Sequence, residues 1–256
     1  MITKLIYPLE LREKISYRLY KLFPGASNKD VSLAFGKNIK MDLVSTDYGH
    51  KTIIFNGFYE LDLTLKLVQL GKKGGLMVDV GANYGYFSCL WAAQNPGNKV
   101  IAFEASPKNV GPLINNVNKN NLEDRIQVIP MAAGQAKGTL QFTLGGNSDQ
   151  TGWGGLTLND EPANVTVDVD TLDDYLSNAN VQQLEVLKID TEGADTWVLY
   201  GAEKLLKAKR ISHIFFEQNL PRMKDLNISP DEASTFLKKY GYQVREIAPN
   251  EFYAHL

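Results

Sequence analysis

Val78-Asp79-Val80-Gly81-Ala82-Asn83-Tyr84-Gly85 is an apolar, β-branched run that ends on a glycine-bearing turn. The run from Leu76 to Val80 is short and bounded by glycines, which predicts a buried strand, and residues 84–94 then read as a helix. A strand that turns through glycine into a helix start is a seat for a nucleotide-like ligand. Gly81 permits the tight turn and a close backbone approach, and amides at the helix start point at polar or negative groups.

Working outward, residues 100–103 form the next apolar run, and Glu104 closes it. A carboxylate at the end of the second strand is placed to accept hydrogen bonds from ribose hydroxyls. Ser106 and Pro107 suit the cap and first position of a following helix, but Gly111-Pro112 interrupts it. Proline inside a helix costs roughly 3 kcal/mol, so this helix is expected to start late, near Pro112, or to kink.

Ile126–Ile129 reads as the third strand. TLQFTL and VTVDV then alternate with period two as half-buried strands, separated by the glycine-rich stretch 145–155. Residues 185–190 are a fourth core strand, 196–208 a helix, and 213–217 a fifth strand, each of the two strands ending on an acid. A helix over 231–240 precedes two strands, 242–247 and 252–255, whose short connection predicts an antiparallel hairpin. Strands alternating with helices define an α/β chain, a mostly parallel sheet covered on both faces.

Residues 1–75 read differently: a helix over 9–23, two or three short strands between Val31 and Ile54, and a helix over 59–71. They are expected to form a small N-terminal α/β cover on the substrate side. Residues 76–256 are expected to form the ligand-binding domain.

A nicotinamide dinucleotide would require the G-x-G-x-x-G fingerprint, with glycines where this chain has Asn83 and Tyr86. Without the second glycine a pyrophosphate cannot lie against the turn. The motif therefore favours a ligand with a ribose and no pyrophosphate, and S-adenosylmethionine fits that description.

The strings D-x-G-x-N-x-G, F-E-A-S-P, V-D-V-D-T-L-D-D, K-I-D-T-E-G-A-D and V-L-Y-G-A follow one another along the chain. In that order and spacing the chain resembles the FkbM family of methyltransferases. The resemblance implies a class I, Rossmann-like fold, a seven-stranded sheet with only the last strand antiparallel, and S-adenosylmethionine across the carboxyl ends of the first strands. It implies that Asp79, Gly81, Ala82, Asn83 and Gly85 line the methionine and ribose side, and that Glu104 takes the ribose hydroxyls. Ala105 and Ser106 would flank ribose and adenine, and Met131 and Ala132 would lie near the adenine, with plain core packing as their other reading. Ala105 stands where the family usually has proline. Glu60, in Gly57-Phe58-Tyr59-Glu60, would close over the methionine end, or is simply an acid in a helix's first turn.

Methyl transfer is an in-line displacement, so the acceptor oxygen must lie about 3 Å from the methyl carbon and shed its proton. A carboxylate serves as general base, or holds a divalent ion that lowers the hydroxyl's pKa; no metal is expected as a fixed constituent. Asp190, Glu192 and Glu217 are the candidates. The alternative for Asp190 and Glu192 is to sit at the following helix start, where Thr191 or Asp195 offers a cap. His50 lies in a polar loop and His213 at the start of an apolar strand, the latter read as structural. Trp153, within the glycine-rich stretch, is either a sugar-stacking side chain or ordinary packing.

This reading makes the chain an S-adenosylmethionine-dependent O-methyltransferase acting on a small-molecule or glycan hydroxyl. RNA ribose 2′-O methylation and a non-catalytic cofactor-binding module are the competing readings. Base methylation would bring an Asn/Asp-Pro-Pro-aromatic string where the chain has Asp190-Thr191-Glu192-Gly193. Net charge is −2, and residues 76–256 carry 15 Lys/Arg against 22 Asp/Glu, which argues against a duplex nucleic acid partner. The single cysteine, Cys89, rules out an internal disulfide, no apolar run is long enough to span a bilayer, and a cytoplasmic location is expected.

Overall fold

Each strand of the central sheet divides its side chains between two apolar layers. In β3 (Leu76–Val80) Met77 enters one buried cluster while Val78 and Val80 enter the other. That alternation is the period-two geometry of a strand buried on both faces. The structure, a computed structural model, describes residues 8, 9, 11, 12, 27–144, 151, 155–157 and 165–256.

The sheet has seven strands. With β4 (Lys99–Phe103), β5 (Ile126–Ile129), β10 (Leu184–Ile189), β11 (Ile211–Glu217), β12 (Gln243–Ala248) and β13 (Glu251–His255), the order is β12-β13-β11-β10-β3-β4-β5. Strands β3, β4, β5, β10 and β11 are parallel, and β13 runs against both its neighbours. The expected terminal hairpin is present. From β3 the chain proceeds outward through β4 and β5, then returns to the other side of β3 as β10. A ligand crevice opens at such a switch point, at the carboxyl ends of the strands.

One face of the sheet carries α3 (Tyr86–Gln94), packed against α2 (Leu61–Gly71), and α4 (Pro107–Lys119). A two-stranded ribbon, β1 (Ser27–Ser32) and β2 (Lys40–Val44), and α1 (Tyr48–Asn56) join the same core through Met41, Leu43, Ile53 and Phe58. The other face carries α5 (Leu172–Asn178), α6 (Asp195–Tyr200), α7 (Glu203–Lys207) and α9 (Glu232–Lys239), which bury Leu172, Leu176, Val198, Leu205, Leu206 and Leu237.

Residues 48–56 are helical, not a strand as their Thr52-Ile53-Ile54 run suggests. Asp47 caps the helix by accepting from the His50 amide, and Gly57, at φ 83°, stops it. These two end signals outweigh the weak strand preference of three β-branched residues. α4 runs unbroken through Pro112. Its Leu113 and Val117 are buried, and two such side chains contribute roughly 3 to 6 kcal/mol, enough to offset the proline. The predicted helix 196–208 is two short ones. Gly201 lies so close to the Gly134 carbonyl oxygen that a Cβ would be 2.0 Å from it, and its own carbonyl accepts from the Asp173 amide.

The segments TLQFTL and VTVDV pair with each other outside the main sheet, as β7 (Gly138–Thr143) and β9 (Val165–Asp170). With β6 (Ala132–Ala133) and β8 (Gly155–Leu156) they form a small four-stranded sheet of order β6-β9-β7-β8. Helices α5 and α8 (Leu220–Asp225) have no counterpart in the sequence reading. Leu9, Leu11 and Arg12 are helical; the rest of the predicted 9–23 helix, and Trp153, lie outside the described residues. Among the described residues no helix is long and apolar enough to cross a membrane.

Candidate active site

The carboxyl ends of β3, β4 and β10 open on a cleft of about 860 Å³, lined on its polar side by Gly81, Asn83, Glu104, Ser106, Asp190 and Glu192. Met131, Ala132, Phe103, Leu140 and Phe142 lie on its apolar side, and Ala105, Thr151, Thr191 and Trp197 also line it. The small sheet therefore walls the end of the cleft expected for an adenine.

Gly81 makes the turn possible. Its φ is +75°, and a Cβ there would sit 1.8 Å from the Asp190 carbonyl oxygen. The ends of β3 and β10 thus meet across this glycine, and the Asp190 amide donates to the Val80 carbonyl. Asn83, Glu60 and Glu192 also hold positive φ, at 51°, 43° and 53°. Such backbone costs of order 1 to 3 kcal/mol per residue and gathers at functional sites.

Glu104 accepts from the Asn83 amide at 2.6 Å on Oε2 and from the Ser106 amide at 2.8 Å on Oε1. An ionised carboxylate has about four acceptor positions, so two hydrogen bonds orient it and leave lone pairs for a ligand. Burial pushes its pKa up to about 7 against the opposing effect of those amides.

Asp79 is fully buried beneath the turn and does not line the cleft; it accepts from Ser88 Oγ at 2.6 Å. Its strand partner in register is Lys188, whose Nζ lies 3.4 Å from Asp79, 3.5 Å from Asp190 Oδ2 and 3.2 Å from the Gly81 carbonyl. Burial alone would lower the lysine's pKa, but Asp79, then Asp190 and Glu60, hold it above its ordinary value. Gly85 begins α3 against Leu113, and Ala82 faces a second cavity. Lys188 was not singled out from sequence. The available signal was a lone lysine within LEVLKI, since a buried ammonium needs an acid partner.

Glu217 and Glu60 sit across a smaller cavity with Lys188, Asp190 and Glu251. Burial, then the charge of Asp190, pushes Glu60 up to about 8 and raises both Glu192 and Glu217. Glu192 Oε2 accepts from Asn219 at 2.8 Å. Neither Asp190 nor Glu192 caps α6, which follows Ala194 without a side-chain cap. Asp195 instead binds the two strand ends together, accepting from the Thr191 amide and hydroxyl and from the Glu217 amide. Burial pushes Asp195 up to about 6.

His213 lies near the amino end of β11, hydrogen-bonded to Tyr253 at 2.7 Å and remote from the strand tips, with burial, then Lys66, lowering its pKa to about 4. His50 lines the second cavity; its Nδ1 accepts from the Val44 amide, so Nε2 carries the proton and donates to Asn83 Oδ1 at 3.2 Å. Burial lowers its pKa, which keeps it neutral. Among the described residues no group of three or more His, Cys, Asp or Glu is arranged to hold a metal ion.

These acids have a measurable consequence. Their native pKa values lie above the unfolded ones, so the folded protein binds more protons than the unfolded chain between the two. The associated stability is complete at pH below about 4.5 and is lost as pH rises through about 6 to 8. The melting temperature of the unliganded protein is expected to fall between pH 5.5 and 8.5, and Glu60→Gln to flatten the fall. Calorimetric scans across that interval check this, and a rising melting temperature in the native protein would contradict it.

The sheet order, the single reversed strand and a cleft at the switch point define a Rossmann-like methyltransferase fold. The profile described as "Methyltransferase FkbM domain" matches residues 79–244, and the chain belongs to that family of methyltransferases. It is 28% identical to Methyltransferase 1 of Beauveria bassiana over 178 residues, 62% of this chain and 68% of that protein. It is 22% identical to the 2-O-methyltransferase NoeI of Sinorhizobium fredii, over 63% of this chain and 73% of that one. Among solved structures, the FkbM methyltransferase of Methylobacillus flagellatus KT aligns with a TM-score of 0.49 at 19% identity, covering 72% of this chain and 44% of that one.

Proposed function

We propose that this protein transfers the methyl group of S-adenosylmethionine to a hydroxyl oxygen of a small or sugar-containing acceptor. The observation that carries the reading is Glu104, a buried carboxylate oriented by the Asn83 and Ser106 amides at the rim of the Gly81 turn. In this reading it accepts from the ribose hydroxyls, Ala105 and Ser106 flank the ribose, and Met131 and Ala132 pack on the adenine. Gly81, Asn83 and Glu60 meet the methionine part, while Asp79 and Gly85 shape the turn from beneath.

The cofactor, when bound, supplies an activated sulfonium methyl, and the protein positions the acceptor and takes its proton. The acids at the strand tips suit both tasks. Their negative field attracts a sulfonium, and a base needs a pKa near working pH. Asp190 is ion-paired with Lys188, which fixes its carboxylate and suits it to orienting the cofactor or acceptor. Glu192 and Glu217, with raised pKa, are the better proton acceptors. The name of the NoeI relative, a 2-O-methyltransferase, supports oxygen as the atom methylated. Residues 1–75 would form the acceptor-side cover and 76–256 the cofactor domain.

Glu104→Ala is expected to weaken S-adenosylhomocysteine binding by about 1.5 to 3 kcal/mol, the range for hydrogen bonds to a charged group. Asp190→Asn is expected to keep that affinity within a few-fold while lowering turnover. Titration calorimetry and methyl transfer from labelled S-adenosylmethionine to a panel of neutral glycosides and hydroxylated small molecules measure the two. Unchanged affinity in Glu104→Ala would remove the ribose contact.

A further inference from the structure

Three segments far apart in sequence meet at one buried residue. Thr151 is 6% exposed and lines the cleft. Its amide donates to Asp47 Oδ2 at 2.7 Å, and its hydroxyl lies 3.0 Å from the same oxygen. Asn83 Nδ2 donates to Thr151 Oγ1 at 2.9 Å, and Asn109 Nδ2 donates to the Thr151 carbonyl at 2.9 Å. One hydroxyl proton serves one acceptor, so the consistent arrangement has Thr151 donating to Asp47 and accepting from Asn83. Asn83 Oδ1 is then free to accept from His50 Nε2 and from the Tyr84 amide.

The carboxylate that organises this junction is itself buried. Its other oxygen, Oδ1, accepts from the His50 amide at the start of α1. Asp47 therefore divides its two oxygens: one holds a helix, the other holds Thr151. The helix cap needs only one acceptor oxygen, and asparagine caps as well as aspartate. The second oxygen has a different effect, because it sets Thr151 against Asn83, the residue of the turn whose amide orients Glu104. Thr151 and Asn83 both line the main cleft, and Asp47, His50 and Asn83 line the second cavity of about 720 Å³ beside it.

We infer that Asp47 is a positioning residue for the cofactor turn: through Thr151 it holds Asn83 in place and keeps Thr151 as a fixed wall over the bound cofactor. This rests on the reading that S-adenosylmethionine occupies the cleft. The consequence is kinetic. A ligand seated between the turn and Thr151 is held in part by the wall that the Asp47 contact fixes, so weakening that contact speeds release.

Asp47→Asn places an amide –NH2 toward the Thr151 N–H while its oxygen keeps the α1 cap, which sets donor against donor at the junction. Thr151→Val removes the hydroxyl at nearly constant shape, and Thr151→Ser retains it. The probe is S-adenosylhomocysteine, its release from the full chain followed by stopped-flow displacement with excess sinefungin. Release is expected to accelerate about tenfold in Asp47→Asn and Thr151→Val and to stay within about twofold of native in Thr151→Ser. Tenfold corresponds to about 1.4 kcal/mol, the scale of a buried charge-assisted hydrogen bond. Melting temperatures of the unliganded variants separate loss of fold from loss of positioning. Native release rates in both Asp47→Asn and Thr151→Val overturn the inference, as does an equal acceleration in Thr151→Ser. Failure of the native protein to bind S-adenosylhomocysteine overturns the cofactor reading instead.

Discussion

Gly81→Ala is expected to abolish cofactor binding and to destabilise the fold by about 3 to 5 kcal/mol, in the tail reserved for main-chain clashes and special backbone angles. The cause is specific. An added Cβ would lie 1.8 Å from the Asp190 carbonyl oxygen and 3.0 Å from its carbonyl carbon, both main-chain atoms that no rotamer change can move. Relief requires separating the tips of β3 and β10, which the Asp190 amide to Val80 carbonyl bond holds together. The left-handed φ of +75° adds a further cost of about 1 to 2 kcal/mol for any residue with a Cβ. Urea unfolding and S-adenosylhomocysteine calorimetry measure the two effects. Near-native affinity in this variant would show that the turn is not the cofactor seat.

Lys188→Met is expected to cost about 3 to 5 kcal/mol, because it leaves two acids behind without their shared cation. Asp79 is fully buried, and Lys188 is 2% exposed, so water cannot replace the lost ammonium. Methionine is close to the lysine's aliphatic stem in length but removes the ammonium, which also lies over the Phe87 ring at 5.3 Å, so the loss reports charge more than volume. Adding Asp79→Asn to Lys188→Met should recover part of the stability, since one uncompensated carboxylate is then gone. A cost below about 1 kcal/mol for the single variant would mean that the core holds without the lysine's charge.

The α/β class and the five parallel strands were legible because strands buried on both faces are mostly apolar, and the terminal hairpin because only a short connection separates its two strands. The Gly81 turn was legible for a local reason: a tight strand-to-helix turn with a positive φ and a main-chain oxygen against its α-carbon calls for a residue without a Cβ. Two of the failures had local causes. Thr52-Ile53-Ile54 carries a weak strand preference that the Asp47 cap and the Gly57 stop override. Pro112 has a helix-breaking cost that burial of Leu113 and Val117 outweighs. The break at Gly201 depends on Gly134, 67 positions earlier, and no window of sequence contains both.

The site divides along the same line. Gly81, Asn83 and Glu104 belong to one continuous strand-turn-helix-strand unit, whose spacing alone brings them to one cleft, with Asp79 and Gly85 packed beneath the turn. Lys188 against Asp79, Asp195 against Glu217, and Asp47 against Thr151 come from strand register and loop packing across more than 20 residues. Side chains gathered by a single turn announce themselves locally, since geometry over a few residues is set by chemistry over a few residues. Buried ion pairs and three-way junctions are set by which elements the chain folds together, and a lysine or threonine there looks like any other until its partner arrives.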